Sequence, residues 1–294
     1  MAASNGGALP VVDLAPFFAG EGSEDTGGRA RATEAMREAC QATGFFRAVN
    51  HGVPRELMAR ALDLSAAFFA LPDEEKAKVR PAEGASAAPL PVGYARQPAH
   101  SADKNEYLLL FNPKLGLNHY PAEPAGFRDA LVEVRRRPQL RLPHRASLLP
   151  GDNRREQRHQ RARGRQLHHL RPAGRHRGPG GAREDGSWVP AEPVEGSIVV
   201  NVGDVLLVLS NKKFKSATHR VVRRPGAHRH SIAFFLNLHG DKWVEPLPEF
   251  AGDSGEPPRY RGFRYNEYMQ LRMRNKTHPP ARPEDVVHIT HYEI

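Results

Sequence analysis

His219 precedes the run Arg229-His230-Ser231 by ten residues, and these residue types could build a metal site beside an anion site. Arginine and serine two positions apart project from one face of a strand. There the guanidinium can grip a carboxylate with two hydrogen bonds while the hydroxyl adds a third. A neutral imidazole is a common metal ligand. A single histidine on a strand is more often a core or surface residue, so it is the pairing that points to chemistry. The chemistry indicated is a metal next to a dicarboxylate.

A second group of histidines, His159, His168, His169 and His176, lies in a different setting, around the stretch QLHHLRPAGRHRGPGG. Histidine-rich tracts bind metals weakly, but no strand or helix spacing orients these four, and no partners are evident that would hold the rings. The segment from 135 to 183 contains 15 Arg, no Lys, the two acids Asp152 and Glu156, five His and no Phe, Trp or Tyr. It carries +13 of a chain whose net charge is +10, which leaves −3 for everything else. A nucleic-acid-binding stripe is the alternative such arginines raise. The absence of aromatic residues to stack on bases weighs against it. The segment has neither a period of 2 nor one of 3.6, and its composition is that of a stretch that does not fold. A structureless insertion of that length is out of keeping with a compact domain.

The flanks read as ordinary protein. LPVVDL is a short strand, 30–42 is a helix ending before Gly44, and GFFRAVNHGVP is a strand closed by a turn. Residues 55–71 carry Leu57, Ala61, Leu62, Leu64, Phe68 and Phe69 at helical spacing, stopped by Pro72 with Asp73 and Glu74 opening the next turn. Beyond Arg183 the pattern changes to short β runs between turns. GSIVVNVGDVLLVLSN predicts two strands around Val202-Gly203-Asp204, ATHRVV and HSIAFFLNL predict two more about Pro225-Gly226, and YNEYMQLRMRNK predicts a C-terminal helix. Three stretches follow: 1–134, an N-terminal region of strands and helices; 135–183, the anomalous segment; and 184–294, a β-rich region with a closing helix. With 39% apolar residues in 294, the chain can bury a substantial core. Cys40 is the only cysteine, so no intrachain disulfide forms. No leader-like or membrane-length apolar run is seen, and the expectation is a cytoplasmic protein that does not enter membranes.

The stretches NHGVP, VVNVGDVLLVLSN, SATHRVV and RHSIAFF together resemble the plant 2-oxoglutarate/Fe(II)-dependent dioxygenases, a family of the isopenicillin N synthase type. The C-terminal RMRNKTHPPARPEDVVHITHYEI is similar to one plant branch of it. The resemblance implies an α+β fold, a double-stranded β-helix or jelly roll with an N-terminal α/β region and a C-terminal helix. It also implies Fe(II), 2-oxoglutarate as cosubstrate, ascorbate as reductant, O₂, and oxidation of a small molecule by a monomer. By the same resemblance His219 is the distal iron ligand, Arg229 and Ser231 grip the far carboxylate of 2-oxoglutarate, and Phe235 lines the substrate pocket. His51, within NHGVP, is a packing residue. No residue is assigned as an acid–base catalyst.

The family holds its iron with a His-x-Asp pair on an early strand plus one distal His, leaving three positions open. In 135–183 no His is followed two residues later by Asp or Glu, so the expected jelly roll is incomplete and this chain is expected to be inactive, a pseudoenzyme in effect. A displaced reading frame accounts for the departure. The stretch ARGRQLHH can be encoded by GCA CGA GGA CGG CAA CTG CAT CAC, and one base later those bases read His-Glu-Asp-Gly-Asn-Cys-Ile. The shifted frame then permits Thr-Phe-Val-Leu-Gln-Asp-Gly-Ile-Gly-Gly-Leu-Glu-Val before the original frame resumes at Arg183 to Glu184. The junction near Val134 also lacks helices that such proteins carry, as a deleted or mis-spliced exon would produce.

Overall fold

The computed structural model describes residues 8–18, 26–80, 92–96, 106–111, 116, 118–136, 162–163, 180–182, 188–192, 194–220, 230–236, 238, 240–252, 255–277, 282 and 285–294. In chain order the elements are β1 (Val11–Asp13), α1 (Thr26–Ala42), β2 (Phe45–Val49), α2 (Arg55–Ala70), α3 (Asp73–Ala77), β3 (Gly93–Arg96), β4 (Glu106–Leu109) and α4 (Phe127–Arg136). They continue with β5 (Ala162–Arg163), β6 (Gly180–Ala182), β7 (Trp188–Pro190), β8 (Ile198–Asn201), α5 (Asp204–Leu209), β9 (Thr218–Arg220), β10 (Trp243–Val244), β11 (Phe263–Arg264) and α6 (Tyr265–Thr277). Helices and sheets are mixed, as the α+β expectation requires.

The chain forms two compact units, the first comprising 1–51, 140–227 and 232–294, the second 52–139 and 228–231. In the first, α1 carries the chain from β1 to its parallel neighbour β2, which then pairs antiparallel with β8. A second sheet runs in the order β5-β9-β6-β7, all antiparallel. The core of this unit gathers Val205, Val208 and Leu209 of α5 with Phe263, Tyr268 and Tyr292. Cys40 is buried at the end of α1, and its carbonyl accepts a hydrogen bond from the Lys215 amide at 2.9 Å.

The second unit packs α2 beside α4 around Phe68, Val79, Tyr94 and Phe127. The β3–β4 ribbon closes it, fastened by charges. Arg96 bonds Asp73 and Glu106, while buried Lys76 sits 3.1 Å from each of the same two carboxylates.

Two glycine-like turns fix the approach to this framework. Gly44 has φ +72°, and a Cβ there would lie 2.0 Å from the carbonyl oxygen of Lys215, so only glycine lets those backbones approach. In NHGVP, Asn50 takes the left-handed conformation at φ 50°, which asparagine tolerates better than most residues. Its amide donates to Asp13 at 3.0 Å.

The structure corrects the sequence reading in two places. GDVLLVLSN contributes no strand: 204–209 is helix α5, with Asp204, Val205, Leu206, Val208 and Leu209 buried. An apolar run of six residues fits a buried helix as well as a buried strand, and extended Gly203 followed by Asp204 starts the helix. Residues 230–236 form no strand, only a bridge residue at Ile232; apolar alternation becomes a ladder only where a partner pairs along the whole run. Of the segment 135–183 only the end of α4 and the short strands β5 and β6 are among the described residues, and the expectation that it does not fold lies outside them.

Candidate functional site

His219 is the middle residue of β9 and is buried at 4% exposure. Its Nδ1 lies 3.4 Å from the Ala217 carbonyl, a long contact that favours the tautomer with the proton on Nδ1 and the lone pair on Nε2. Phe45 of β2 meets the ring edge-on, centroids 5.7 Å apart at 80°. An imidazole so placed is oriented and desolvated, the condition in which a neutral ring serves as a ligand.

Three residues before His219, the Ser216 hydroxyl donates to Oδ1 of Asp204 at 2.7 Å. The phenol of Tyr268, on α6, donates to Oδ2 of the same carboxylate. Asp204 is 2% exposed and begins α5, where a carboxylate also complements the helix dipole. This chain of hydrogen bonds sets the entry of β9, and the sequence reading missed it. The signal available was a single Asp after Gly203, and its partner Tyr268 is distant in sequence.

Ser231 is exposed and Phe235 half-buried. Arg229 lies outside the described residues, as do Asp152, His159, His168, His169 and His176. His230 stacks on Phe69 at 6.0 Å and 22°. His51 is buried, and its Nε2 donates to the Gly196 carbonyl at 2.9 Å. Burial holds that imidazole below its ordinary pKa, outweighing the opposing hydrogen bond to Gly196. This ring is committed to packing, as the reading of NHGVP expected.

Three protein ligands are needed for an iron of the family's kind, and the described residues paired with His219 do not supply the other two. The positions facing His219 across the sheet are Ala162 on β5 and Gly181 on β6. Among the described residues no group of three His, Cys, Asp or Glu could hold a metal ion.

Comparisons with known proteins agree with the fold and the motifs. Residues 9–121 match the family described as non-haem dioxygenase in morphine synthesis N-terminal, and 173–238 match the 2OG-Fe(II) oxygenase superfamily. The chain is 28% identical to 2-oxoglutarate-dependent dioxygenase 19 of Oryza sativa subsp. japonica over 315 residues, covering 96% of this chain and 91% of that one. It is 28% identical to hyoscyamine 6-dioxygenase of Hyoscyamus niger, covering 82% of each. Among solved structures, JOX2 in complex with 2OG, Fe and JA superposes with a TM-score of 0.67 at 23% identity, over 98% of this chain and 89% of that one. The rice dioxygenase for auxin oxidation gives 0.65 at 24%, over 97% and 100%. The fold is therefore the jelly roll of these oxygenases, and the chain belongs to the 2-oxoglutarate/Fe(II)-dependent dioxygenase family, a family of oxidoreductases. Among the described residues no helix is long and apolar enough to cross a membrane.

Proposed function

We propose that the protein, in its intact form, couples oxidative decarboxylation of 2-oxoglutarate to hydroxylation, desaturation or demethylation of a small plant metabolite or hormone, and that the chain as it stands does not turn over. The observation that carries this is His219, buried on β9 with its Nδ1 directed to the Ala217 carbonyl, inside a chain whose family uses a histidine of this motif on iron. The names of similar proteins, which include hyoscyamine 6-dioxygenase, a rice dioxygenase for auxin oxidation and JOX2 in complex with JA, support an apolar or aromatic small molecule as the substrate class.

In this reading His219 is one of three protein ligands to Fe(II), and Arg229 with Ser231 anchors the distal carboxylate of 2-oxoglutarate. A guanidinium fork matches a carboxylate in two bonds and keeps its charge at any working pH. Phe235 borders the substrate. Ascorbate keeps the metal reduced, and the enzyme acts as a cytoplasmic monomer. The stretch 1–134 supplies the scaffold, 184–294 supplies the anchor residues, and 135–183 is where the other two ligands belong. The +13 charge of that segment has its source in the reading frame rather than in a nucleic-acid partner.

The test is succinate formation from 2-oxoglutarate with Fe(II), ascorbate and a panel of small plant metabolites. The chain as it stands is expected to give no more succinate than its His219→Ala variant, and the frame-restored protein to give turnover. Succinate from the present chain above that control contradicts inactivity. Failure of the restored protein both to bind iron and to turn over contradicts the assignment of activity.

A further inference from the structure

Ser231 sits in a short piece of chain that groups with the helical unit. Residues His228–Ser231 belong with Gly52–Gln139, whereas the chain before and after them, 140–227 and 232–294, belongs to the other unit. No strand holds these residues, since 230–236 carry only the bridge at Ile232. One tie is aromatic. The ring of His230 lies on that of Phe69, centroids 6.0 Å apart and planes at 22°, within the range of an offset stack. Phe69 is itself a fixed platform. It stands in the last turn of α2, where buried Phe68 meets it at 5.1 Å and 68°, and it packs on the core of Val79, Tyr94 and Phe127. Its carbonyl accepts a hydrogen bond from Nζ of Lys76 at 3.3 Å, and the same ammonium meets Asp73 and Glu106.

We infer that Phe69 and His230 are positioning residues for 2-oxoglutarate: their stack holds Ser231, and with it the neighbouring Arg229, in the arrangement that grips the far carboxylate. The inference rests on the oxygenase reading above and adds helix α2 to the parts that set cosubstrate affinity. A dicarboxylate is bound at full strength only by molecules whose grip is already in place, so the apparent Kd rises as that fraction falls. With no ladder along 230–236, the segment depends on side chains to keep that fraction high. His230 contributes a flat face to Phe69 and makes no bond to the ligand, so another aromatic ring at 230 serves as well.

The test titrates the full chain, without metal, with 2-oxoglutarate and measures Kd by calorimetry. Loss of one aromatic pair is expected to raise Kd roughly two- to tenfold in His230→Ala and in Phe69→Leu. The double variant is expected to bind no more weakly than either single one, because both substitutions remove the same interaction. His230→Phe, which keeps a ring, is expected to hold the parent Kd. Parent affinity in His230→Ala and Phe69→Leu overturns the inference. So does a His230→Phe variant as weak as His230→Ala, which makes the imidazole a contact to the ligand. Circular dichroism checks each fold, and if Phe69→Leu does not fold, the two His230 variants carry the decision. Ser231→Ala and Arg229→Ala separate this inference from the reading beneath it. If they weaken binding while the Phe69 and His230 variants do not, the grip stands and the inference alone falls. If the parent binds no 2-oxoglutarate, or both variants bind as the parent does, the grip itself is wrong and the inference falls with it.

Discussion

The phenol of Tyr268 and the carboxylate of Asp204 are hydrogen-bonded to each other in the interior, 64 residues apart in sequence. That bond fastens α6 to the start of α5, and through Ser216 it reaches the strand of His219. Tyr268→Phe removes one donor from a buried carboxylate, which costs about 1–3 kcal/mol. A lowered denaturation midpoint is the expected outcome. A midpoint equal to that of the unsubstituted chain would show that the ring alone matters.

Gly44→Ala should be worse tolerated than most surface changes. The added methyl meets the Lys215 carbonyl, a backbone atom that cannot swing aside, and φ +72° is itself unfavourable for alanine. Strain of this kind costs on the order of 1–3 kcal/mol. Urea unfolding of the variant measures it, and an unchanged midpoint contradicts the close approach.

Stability should fall on both sides of neutrality, for different reasons. Arg96 first, then Lys76, holds the Asp73 carboxyl below its ordinary pKa. Burial pushes Glu106 up, but its hydrogen bonds to Lys76 and Arg96 outweigh that and leave it lowered. Carboxylates depressed in the folded state contribute stability above their unfolded pKa, and it is lost as pH falls through the folded value. Lys76, disfavoured by burial yet raised by Glu106 and Asp73, contributes below its ordinary 10.5, a contribution lost as pH rises through the folded value. Glu106→Gln should flatten the acid limb of a stability–pH profile, and an unaltered limb argues against the network.

His51 acts earlier on the acid side. Its imidazole is depressed chiefly by burial, so the unfolded chain takes up its proton first as pH drops below about 6.5. Folding weakens across that window. His51→Gln, which does not titrate, should remove this part of the slope, as unfolding midpoints between mildly acidic and neutral buffers will show.

In the frame-restored enzyme, Arg229→Lys should raise the KM for 2-oxoglutarate sharply. An ammonium cannot reproduce a two-pronged contact, and losing a buried charge-assisted partner costs on the order of 2–5 kcal/mol. A KM within about twofold of the parent, well under 1 kcal/mol, would falsify the anchoring role.

The helices at 30–42 and 55–71 were legible because their apolar residues recur at helical spacing, and α1 and α2 end within a residue of expectation. The α5 helix was not, because Val-Leu-Leu-Val-Leu has no period that separates a fully buried helix from a buried strand. His219 could be singled out from its motif, whereas its support by Asp204, Ser216 and Tyr268 could not, since hydrogen bonds across such separations leave no local pattern. The two missing ligands were illegible for a simpler reason. From 135 to 183 no His is followed two residues later by Asp or Glu, so no His-x-Asp pair is there to be read.

Cys40 offers a natural stopwatch for this molecule. Burial raises its thiol pKa to about 11, so in neutral buffer almost none is present as the thiolate that alkylating reagents attack. The carbonyl of the same residue holds the Lys215 amide, four positions before His219. Labelling can proceed only when the end of α1 comes away, and because this is the sole cysteine, each labelled molecule marks one opening event at the anchor of the histidine's strand.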